Sequence, residues 1–159
     1  MNPDADSWIE YTGNDYITWL NRDFLNEILP GIMDQADWDA ITYKVNGCAM
    51  KVHNTLGNGF QEVIYQRCLA IEMTSAGIHF IREVEHEIFY KGHCVGTRRA
   101  DFVVEDEIIV ELKAVIDLEA VHLAQAKNYV VAYDKAIGLL INFGSRSLQL
   151  KKIYNPKYQ

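Results

Sequence analysis

The spacing of hydrophobic residues changes part-way along the chain, from three or four positions to two. The first amphipathic stretch, residues 15–29, predicts a short docking helix that ends at Pro30-Gly31. A second helix is predicted over residues 37–55, with Asp37 as its N-cap. A third is predicted over residues 61–76, followed by Gly77 as a left-handed C-terminal cap. The pattern therefore predicts three consecutive helices.

The second half of the chain has the two-residue period of strands. Acidic residues alternate with apolar residues or histidine over residues 83–88, which predicts a strand with one exposed face. Short apolar runs predict further strands at residues 99–104, 108–113, 137–143 and 148–154, with a helix at residues 118–133. This order of helices and strands is typical of a mixed α/β domain.

The loop Glu105-Asp106-Glu107 predicts a tight hairpin that brings two carboxylates together. With Asp106 at the apex, Asp101 lies opposite Glu111, and paired Cβ atoms are about 4.5–5.5 Å apart. Like charges avoid such a pairing unless a cation lies between them. Lys113 projects from the same face as Glu111 because it is two residues further along the strand.

Two carboxylates and a lysine in this arrangement suit a catalytic metal site. Carboxylate oxygens bind Mg²⁺ or Mn²⁺, and a lysine beside the metal can orient a water molecule or stabilise charge that develops on a phosphate. A charged hairpin that only faces solvent has the same pattern. The helix predicted at residues 118–133 adds Gln125 and Tyr129 on one face, and Glu62 begins the third helix as a further acid.

Charge is distributed unevenly along the chain. The net charge is -7, but residues 1–40 contain nine of the 22 acidic residues and one of the 15 basic residues. The rest of the chain is close to neutral, which leaves room for a local basic face that could contact nucleic acid.

Composition excludes several classes of protein. No apolar run is long enough to cross a membrane, so no membrane partner is expected. The three cysteines are widely spaced and form no metal-binding or disulfide pattern. The acidic N-terminus lacks the basic start and apolar stretch of a signal peptide, so we expect a cytoplasmic protein.

Several separated blocks of sequence resemble one known family and occur in its order. The motif GxxExxY is present from Gly59 to Tyr65. The other blocks are Tyr90-Lys91-Gly92, Arg99-Ala100-Asp101, Val110-Glu111-Leu112-Lys113-Ala114, Gln125-Ala126-Lys127-Asn128-Tyr129 and Leu140-Ile141-Asn142-Phe143-Gly144. Over roughly residues 41–155, the chain resembles the GxxExxY proteins, a branch of the PD-(D/E)xK nuclease superfamily.

The resemblance implies a restriction-endonuclease-like αβββαβ core with a central mixed sheet. We expect residues 37–159 to form this domain, with additional N-terminal helices, and residues 1–36 to form an acidic, aromatic extension. The resemblance implies that Glu62, Asp101 and Glu111 hold Mg²⁺ or Mn²⁺, and that Lys113 is the catalytic lysine. It also implies that Gln125 and Tyr129 form the helix motif beside them.

Two further residues are candidates for contact with the phosphate backbone. Arg99 flanks Asp101 and could form part of a basic rim, although a solvated surface arginine has the same position. His53 precedes the Gly-rich loop at residues 57–59 and could contact phosphate, but a histidine near a helix C-terminus more often caps free carbonyl groups.

These observations predict a metal-dependent nuclease that hydrolyses phosphodiester bonds, with DNA favoured over RNA as the substrate. In this hypothesis Gln125 positions the attacking water. The alternative is a non-catalytic or regulatory module that keeps the nuclease fold and binds nucleic acid or a protein partner. The aromatic residues of the N-terminal segment could dock on the core or on a second copy of the chain, forming a homodimer, or simply extend the core.

Overall fold

A computed structural model describes the backbone of residues 8–13, 16–21 and 33–159, with side chains from residue 33 onward. The chain divides into two compact units, residues 1–37 and residues 38–159, and each is described by itself.

The N-terminal unit contains an antiparallel β-hairpin. Strand β1 (Trp8–Gly13) pairs with strand β2 (Tyr16–Asn21), from Trp8 opposite Asn21 to Gly13 opposite Tyr16. The helix predicted at residues 15–29 is therefore wrong over residues 16–21, and residues 22–29 lie outside the described residues. Aromatic and β-branched residues favour strands, and pairing with a second such segment outweighed the helical spacing of a few apolar residues.

Two helices follow the hairpin, α1 (Gln35–Leu56) and α2 (Glu62–Ser75). The prediction of Asp37 as N-cap is wrong, because α1 begins two residues earlier. The Asp34 carboxylate accepts from the Asp37 N–H at 2.9 Å, and the Asp37 carboxylate accepts from the Asp34 N–H at 3.1 Å. The prediction of Gly77 as the C-terminal cap of α2 is confirmed, since Gly77 has a φ of 70° and its N–H donates to the Thr74 carbonyl at 3.1 Å.

A five-stranded mixed sheet forms the centre of the second unit. Its elements are β3 (Phe80–Tyr90), β4 (His93–Val104), β5 (Ile108–Lys113), α3 (Ala120–Ala132), β6 (Ile137–Asn142) and β7 (Gln149–Tyr154). The strand order is β3-β4-β5-β6-β7, and only the β5–β6 pair is parallel. The α/β fold class and the αβββαβ order of the core are confirmed. Two helices rather than one precede β3, and the β1–β2 hairpin takes the place of part of the first predicted helix.

The helices cover both faces of the sheet. On one face, apolar residues of α1 and α2 such as Val45 and Leu69 pack with alternate residues of the strands, including Phe102 and Leu112. On the other face, Val130 of α3 packs with Ala100, Val103 and Ile109. Successive side chains of a strand point to opposite faces, so Leu112 belongs to the first core while its neighbours can serve another purpose. No helix among the described residues is long and apolar enough to cross a membrane.

Candidate active site

Strands β4 and β5 separate at Asp101 and Glu111. Their register, with Phe102 opposite Val110 and Val104 opposite Ile108, is the predicted one. At the next position, side chains replace the backbone ladder. The Asp101 N–H donates to Glu111 Oε1 at 3.4 Å, and the Leu112 N–H donates to Asp101 Oδ2 at 2.8 Å. The two carboxylates are thus held between the diverging strands.

Helix α2 contributes two side chains to the same place. Glu62 is the first residue of the helix, and Gln66 lies one turn later. The buried Gln66 side chain donates from Nε2 to Asp101 Oδ1 at 3.0 Å. A cavity of about 210 Å³ is lined by Glu62, Val63, Gln66, Glu83, Arg99 and Asp101. The structure therefore brings Glu62, Asp101 and Arg99 together around one opening.

Burial disfavours the ionisation of all three carboxyl groups of this site, and the charge of Asp101 adds to this effect at Glu111 and Glu62. Burial, with the negative charge of Asp101 as a second cause, raises the pKa of Glu111 from 4.5 to about 8. Burial first and Asp101 second also raise the pKa of Glu62. The pKa of Asp101 is raised by burial, against the hydrogen bonds from Leu112 and Gln66 and the charge of Lys113. A bound cation would relieve this repulsion.

The tyrosine of the GxxExxY motif holds the loop that leads to Glu62. The Tyr65 hydroxyl donates to the Gly57 carbonyl at 2.7 Å and accepts from the Phe60 N–H at 3.2 Å. Its ring stacks on Phe143, with centroids 4.7 Å apart and planes 11° apart. The Phe143 N–H in turn donates to the Lys113 carbonyl at 2.8 Å. One aromatic pair therefore joins the start of α2 to the end of β5.

The segment after Lys113 is fixed by a buried amide. Asn142, with 0% of its surface exposed, accepts from the Val115 N–H at 3.0 Å and donates to the Val115 carbonyl at 2.9 Å. Gly144 packs closely against the backbone of Ala114 and Val115. A Cβ added to Gly144 would lie 2.4 Å from backbone atoms of both residues. Only glycine fits there, so the block Leu140–Gly144 fixes the position of the end of β5.

Helix α3 borders the acids from the other face of the sheet. Burial, followed by the negative charge of Glu111, raises the pKa of Tyr129, and the Arg98 guanidinium lies 5.1 Å from the centre of the Tyr129 ring. Gln125 lies one turn before Tyr129 and is half-buried. Lys113 is also half-buried, and its charge acts on all three acids.

His53 has a different environment. Its Nε2 lies 3.1 Å from the Ser145 carbonyl oxygen, and its ring centroid is 6.4 Å from that of Phe143. Among the described contacts, this residue joins α1 to the loop after β6 rather than to the carboxylates. Ser145 is not part of α1, so this contact is not a cap of the helix C-terminus, and a contact of His53 with phosphate stays a prediction.

Sequence reasoning missed four residues around the acids. Gln66 could have been found, because it follows Glu62 by one helical turn. Glu83, Arg82 and Tyr133 could not. Glu83 has a φ of 54° within β3, which is uncommon for a residue other than glycine. The alternation of polar and apolar residues in this strand does not reveal that backbone conformation. The Tyr133 hydroxyl accepts from the Ala100 N–H at 3.0 Å and donates to the Val84 carbonyl, across the β3–β4 pair.

The donor set fits a hard divalent cation. In the described part of the chain, no group of three or more His, Cys, Asp or Glu side chains has a geometry that could hold a metal ion. Mg²⁺ needs fewer, since it is usually bound through one or two carboxylates together with waters and substrate phosphates. The adjoining carboxylates of Asp101 and Glu111 meet that requirement.

Comparison with known proteins gives a family and a distant structural neighbour. The model of the PD-(D/E)XK nuclease superfamily matches residues 39–153. The crystal structure of SSO0001 superposes with a TM-score of 0.47 and 16% identity, covering 83% of this chain and 73% of that chain. No curated protein matches the sequence.

Proposed function

The chain belongs to the PD-(D/E)XK nuclease superfamily, and we propose that it is a metal-dependent nuclease of the GxxExxY branch that hydrolyses phosphodiester bonds in DNA. The observation that carries the proposal is the opening of β4 and β5, which holds Asp101 and Glu111 side by side. Glu111 is buried and Asp101 is half-buried. Two carboxylates in such positions are costly for folding, so their presence is better explained by a bound cation than by stability.

In this proposal Asp101 and Glu111 would hold Mg²⁺ or Mn²⁺, and Glu62, on the wall of the cavity that Asp101 also lines, would add a third negative charge. The cation, when bound, activates a water molecule and neutralises charge on the phosphate. Asp101 is prepared for this role because Gln66 and the Leu112 N–H donate to its two oxygens. Both contacts favour the ionised carboxylate that a metal requires.

Lys113 and α3 supply the remaining functions. The Lys113 ammonium orients the attacking water and stabilises the negative charge that develops on the phosphate. Gln125 positions the same water from α3. Tyr129 and Arg99 contact the nucleic-acid backbone, Arg99 from the wall of the cavity. His53, engaged with Ser145, supports the site through the loop after β6.

Cleavage of a supercoiled plasmid tests the proposal. The wild-type protein should nick the plasmid in Mg²⁺ or Mn²⁺ and should be inactive in EDTA. Asp101→Asn should reduce the rate of plasmid cleavage at least about 100-fold, because the amide keeps the shape of the carboxylate but loses the charge that holds the cation. Glu87→Gln is the matched control, since it removes a carboxylate from an exposed position on β3. Equal cleavage by wild type and Asp101→Asn would contradict the assignment.

A second function remains open for the N-terminal segment. The family match begins at residue 39, so the β1–β2 hairpin lies outside it. We propose that residues 1–36 form a separate acidic module and residues 37–159 the nuclease domain. If purified protein retains folding and metal binding but cleaves neither DNA nor RNA, a regulatory module that docks a partner through the hairpin becomes the better hypothesis.

A further inference from the structure

Three side chains from different elements form a continuous chain of hydrogen bonds to the candidate metal site. Arg82 of β3 donates from Nη2 to Gln66 Oε1 at 2.9 Å, and Gln66 donates from Nε2 to Asp101 Oδ1 at 3.0 Å. Gln66 is 6% exposed, and both ends of its amide are therefore occupied inside the protein. The Arg82 residue itself is exposed.

The chemistry of these groups leaves a single orientation for the Gln66 amide. Arginine carries only donors, so the amide oxygen must face Arg82. The amide NH₂ group then necessarily faces Asp101, where it can only donate. The Leu112 N–H donates to the other oxygen of Asp101 at 2.8 Å. The Asp101 carboxylate is consequently held at both oxygens, and its rotation is fixed from α2 and β5 together.

We propose that Arg82 and Gln66 are positioning residues for Asp101: Arg82 sets the orientation of the Gln66 amide, and Gln66 holds the carboxylate in the orientation that binds the metal. This inference rests on the proposed function, in which Asp101 is a metal ligand. Partners of metal ligands commonly contribute in this way, and their loss typically weakens metal binding about 10–100-fold.

The inference predicts an effect opposite to that of charge alone. The positive charge of Arg82 repels a cation bound nearby. By Coulomb's law alone, its removal would therefore make the cation bind more tightly. If Arg82 positions Asp101 through Gln66, its removal makes the cation bind more weakly. The direction of the change therefore separates the two explanations.

Mn²⁺ titration calorimetry of the full chain, without nucleic acid, measures this effect directly. Gln66→Met keeps the length of the side chain but neither hydrogen bond, and it should weaken Mn²⁺ binding at least about 10-fold. Arg82→Met should weaken it about 3–10-fold by leaving the amide unoriented. Arg82→Lys should restore most of the affinity because an ammonium also donates to the amide oxygen. Arg67→Met, which removes an exposed arginine next to Gln66 on α2, is the matched control and should not weaken binding.

The double variant tests whether the two residues act in series. Because Arg82 acts through Gln66, Gln66→Met with Arg82→Met should bind Mn²⁺ as weakly as Gln66→Met alone. If the two substitutions weaken Mn²⁺ binding additively, or if Arg82→Met binds Mn²⁺ more tightly, the proposed action of Arg82 through Gln66, here called the relay, is wrong. Thermal unfolding in EDTA verifies folding, and if Gln66→Met does not fold, the opposite behaviour of Arg82→Met and Arg82→Lys still decides.

The controls separate this inference from the proposed function. If wild type binds Mn²⁺, Asp101→Asn abolishes binding and the Arg82 and Gln66 variants bind normally, the relay alone is wrong. If wild type binds no Mn²⁺, or Asp101→Asn binds as well as wild type, the metal site and the relay both fail.

Discussion

Glu111 combines a carboxyl group with an environment that opposes its charge. The residue is 7% exposed, and burial together with Asp101 raises its pKa to about 8. Buried carboxylates of this kind occur at functional sites more than at structural ones, because their charge is costly unless a ligand needs it. At the residue scale, the ionised form of Glu111 therefore destabilises the fold, and a cation bound as proposed would offset that cost.

The sign of this effect gives a pH-dependent prediction for the metal-free protein. The folded state keeps the Glu111 proton up to about pH 8, whereas the unfolded chain loses it near the ordinary value of 4.5. The stability that this residue contributes is thus greatest at low pH and is lost as the pH rises towards 8. Glu111→Gln cannot ionise, so at pH 8.5 in EDTA its free energy of unfolding should exceed that of wild type by about 1–3 kcal/mol.

Urea denaturation at about pH 5 and pH 8.5 measures the difference. The gain from Glu111→Gln should be much smaller at the lower pH. Glu87→Gln, at an exposed position of β3, controls for the loss of one negative charge and should change stability little. A gain of equal size at both pH values would show that the effect does not come from ionisation.

Lys113 is predicted to act on the reaction rather than on the cation. Lys113→Ala should reduce single-turnover cleavage of DNA by at least about 100-fold, because the ammonium stabilises charge that develops in the transition state. Mn²⁺ affinity should stay within about threefold, or rise, since a positive charge beside a cation is repulsive. Lys44→Ala, at an exposed position of α1, is the control. Undiminished cleavage by Lys113→Ala would remove the catalytic role.

At the element scale, one hydroxyl joins α3 to the β3–β4 pair. The Ala100 N–H is buried and donates to the Tyr133 hydroxyl at 3.0 Å, while the Arg98 carbonyl lies 3.2 Å from the same oxygen. This contact is next to Asp101 in the chain, and Glu83, with its positive φ, follows Arg82 on the paired strand. Helix α3 thus stabilises an irregular part of the sheet that borders the acids.

Tyr133→Phe is expected to destabilise the fold by about 1–3 kcal/mol, since it leaves the buried Ala100 N–H without its partner. Tyr129→Phe removes a hydroxyl four residues earlier, within α3 itself, and should have a smaller effect. Urea denaturation of both variants in EDTA gives the comparison. Equal stability of Tyr133→Phe and wild type would contradict a stabilising role for the hydroxyl.

At the scale of the whole molecule, the negative charge is concentrated in the N-terminal quarter of the chain. Residues 1–40 carry nine acids and one base, and the rest of the sequence is close to neutral. An acidic segment lowers the affinity of the whole chain for a polyanion through long-range repulsion, which is screened by salt.

Removal of residues 1–32 should therefore tighten DNA binding. This truncation keeps Asp34, whose carboxylate accepts from the Asp37 N–H at the start of α1. The gain should be largest at about 0.01 M salt, where the Debye length is about 30 Å, and small at about 0.15 M. Fluorescence anisotropy with a DNA duplex in EDTA measures both affinities. If the truncated protein is folded and its affinity for DNA is unchanged at both salt concentrations, the acidic segment does not repel DNA.

Much of the fold follows from local sequence. The helices α1, α2 and α3 and the strands after residue 80 could be predicted because apolar spacing distinguishes a period of 3.6 from a period of two. The register of Asp101 against Glu111 could also be predicted, because a short hairpin loop determines which residues lie opposite one another. Both properties depend on residues that are neighbours in the chain.

Tertiary structure decided what depends on residues far apart in the chain. The segment from Tyr16 to Asn21 is a strand because it pairs with Trp8–Gly13, and a helical spacing of apolar residues does not reveal that partner. The Arg82–Gln66–Asp101 chain joins β3, α2 and β4, and no local pattern indicates it. Sequence alone thus determined the acids and the strands that carry them. Packing between distant elements decided how those acids are oriented, because hydrogen bonds and burial arise only when the helices and strands meet.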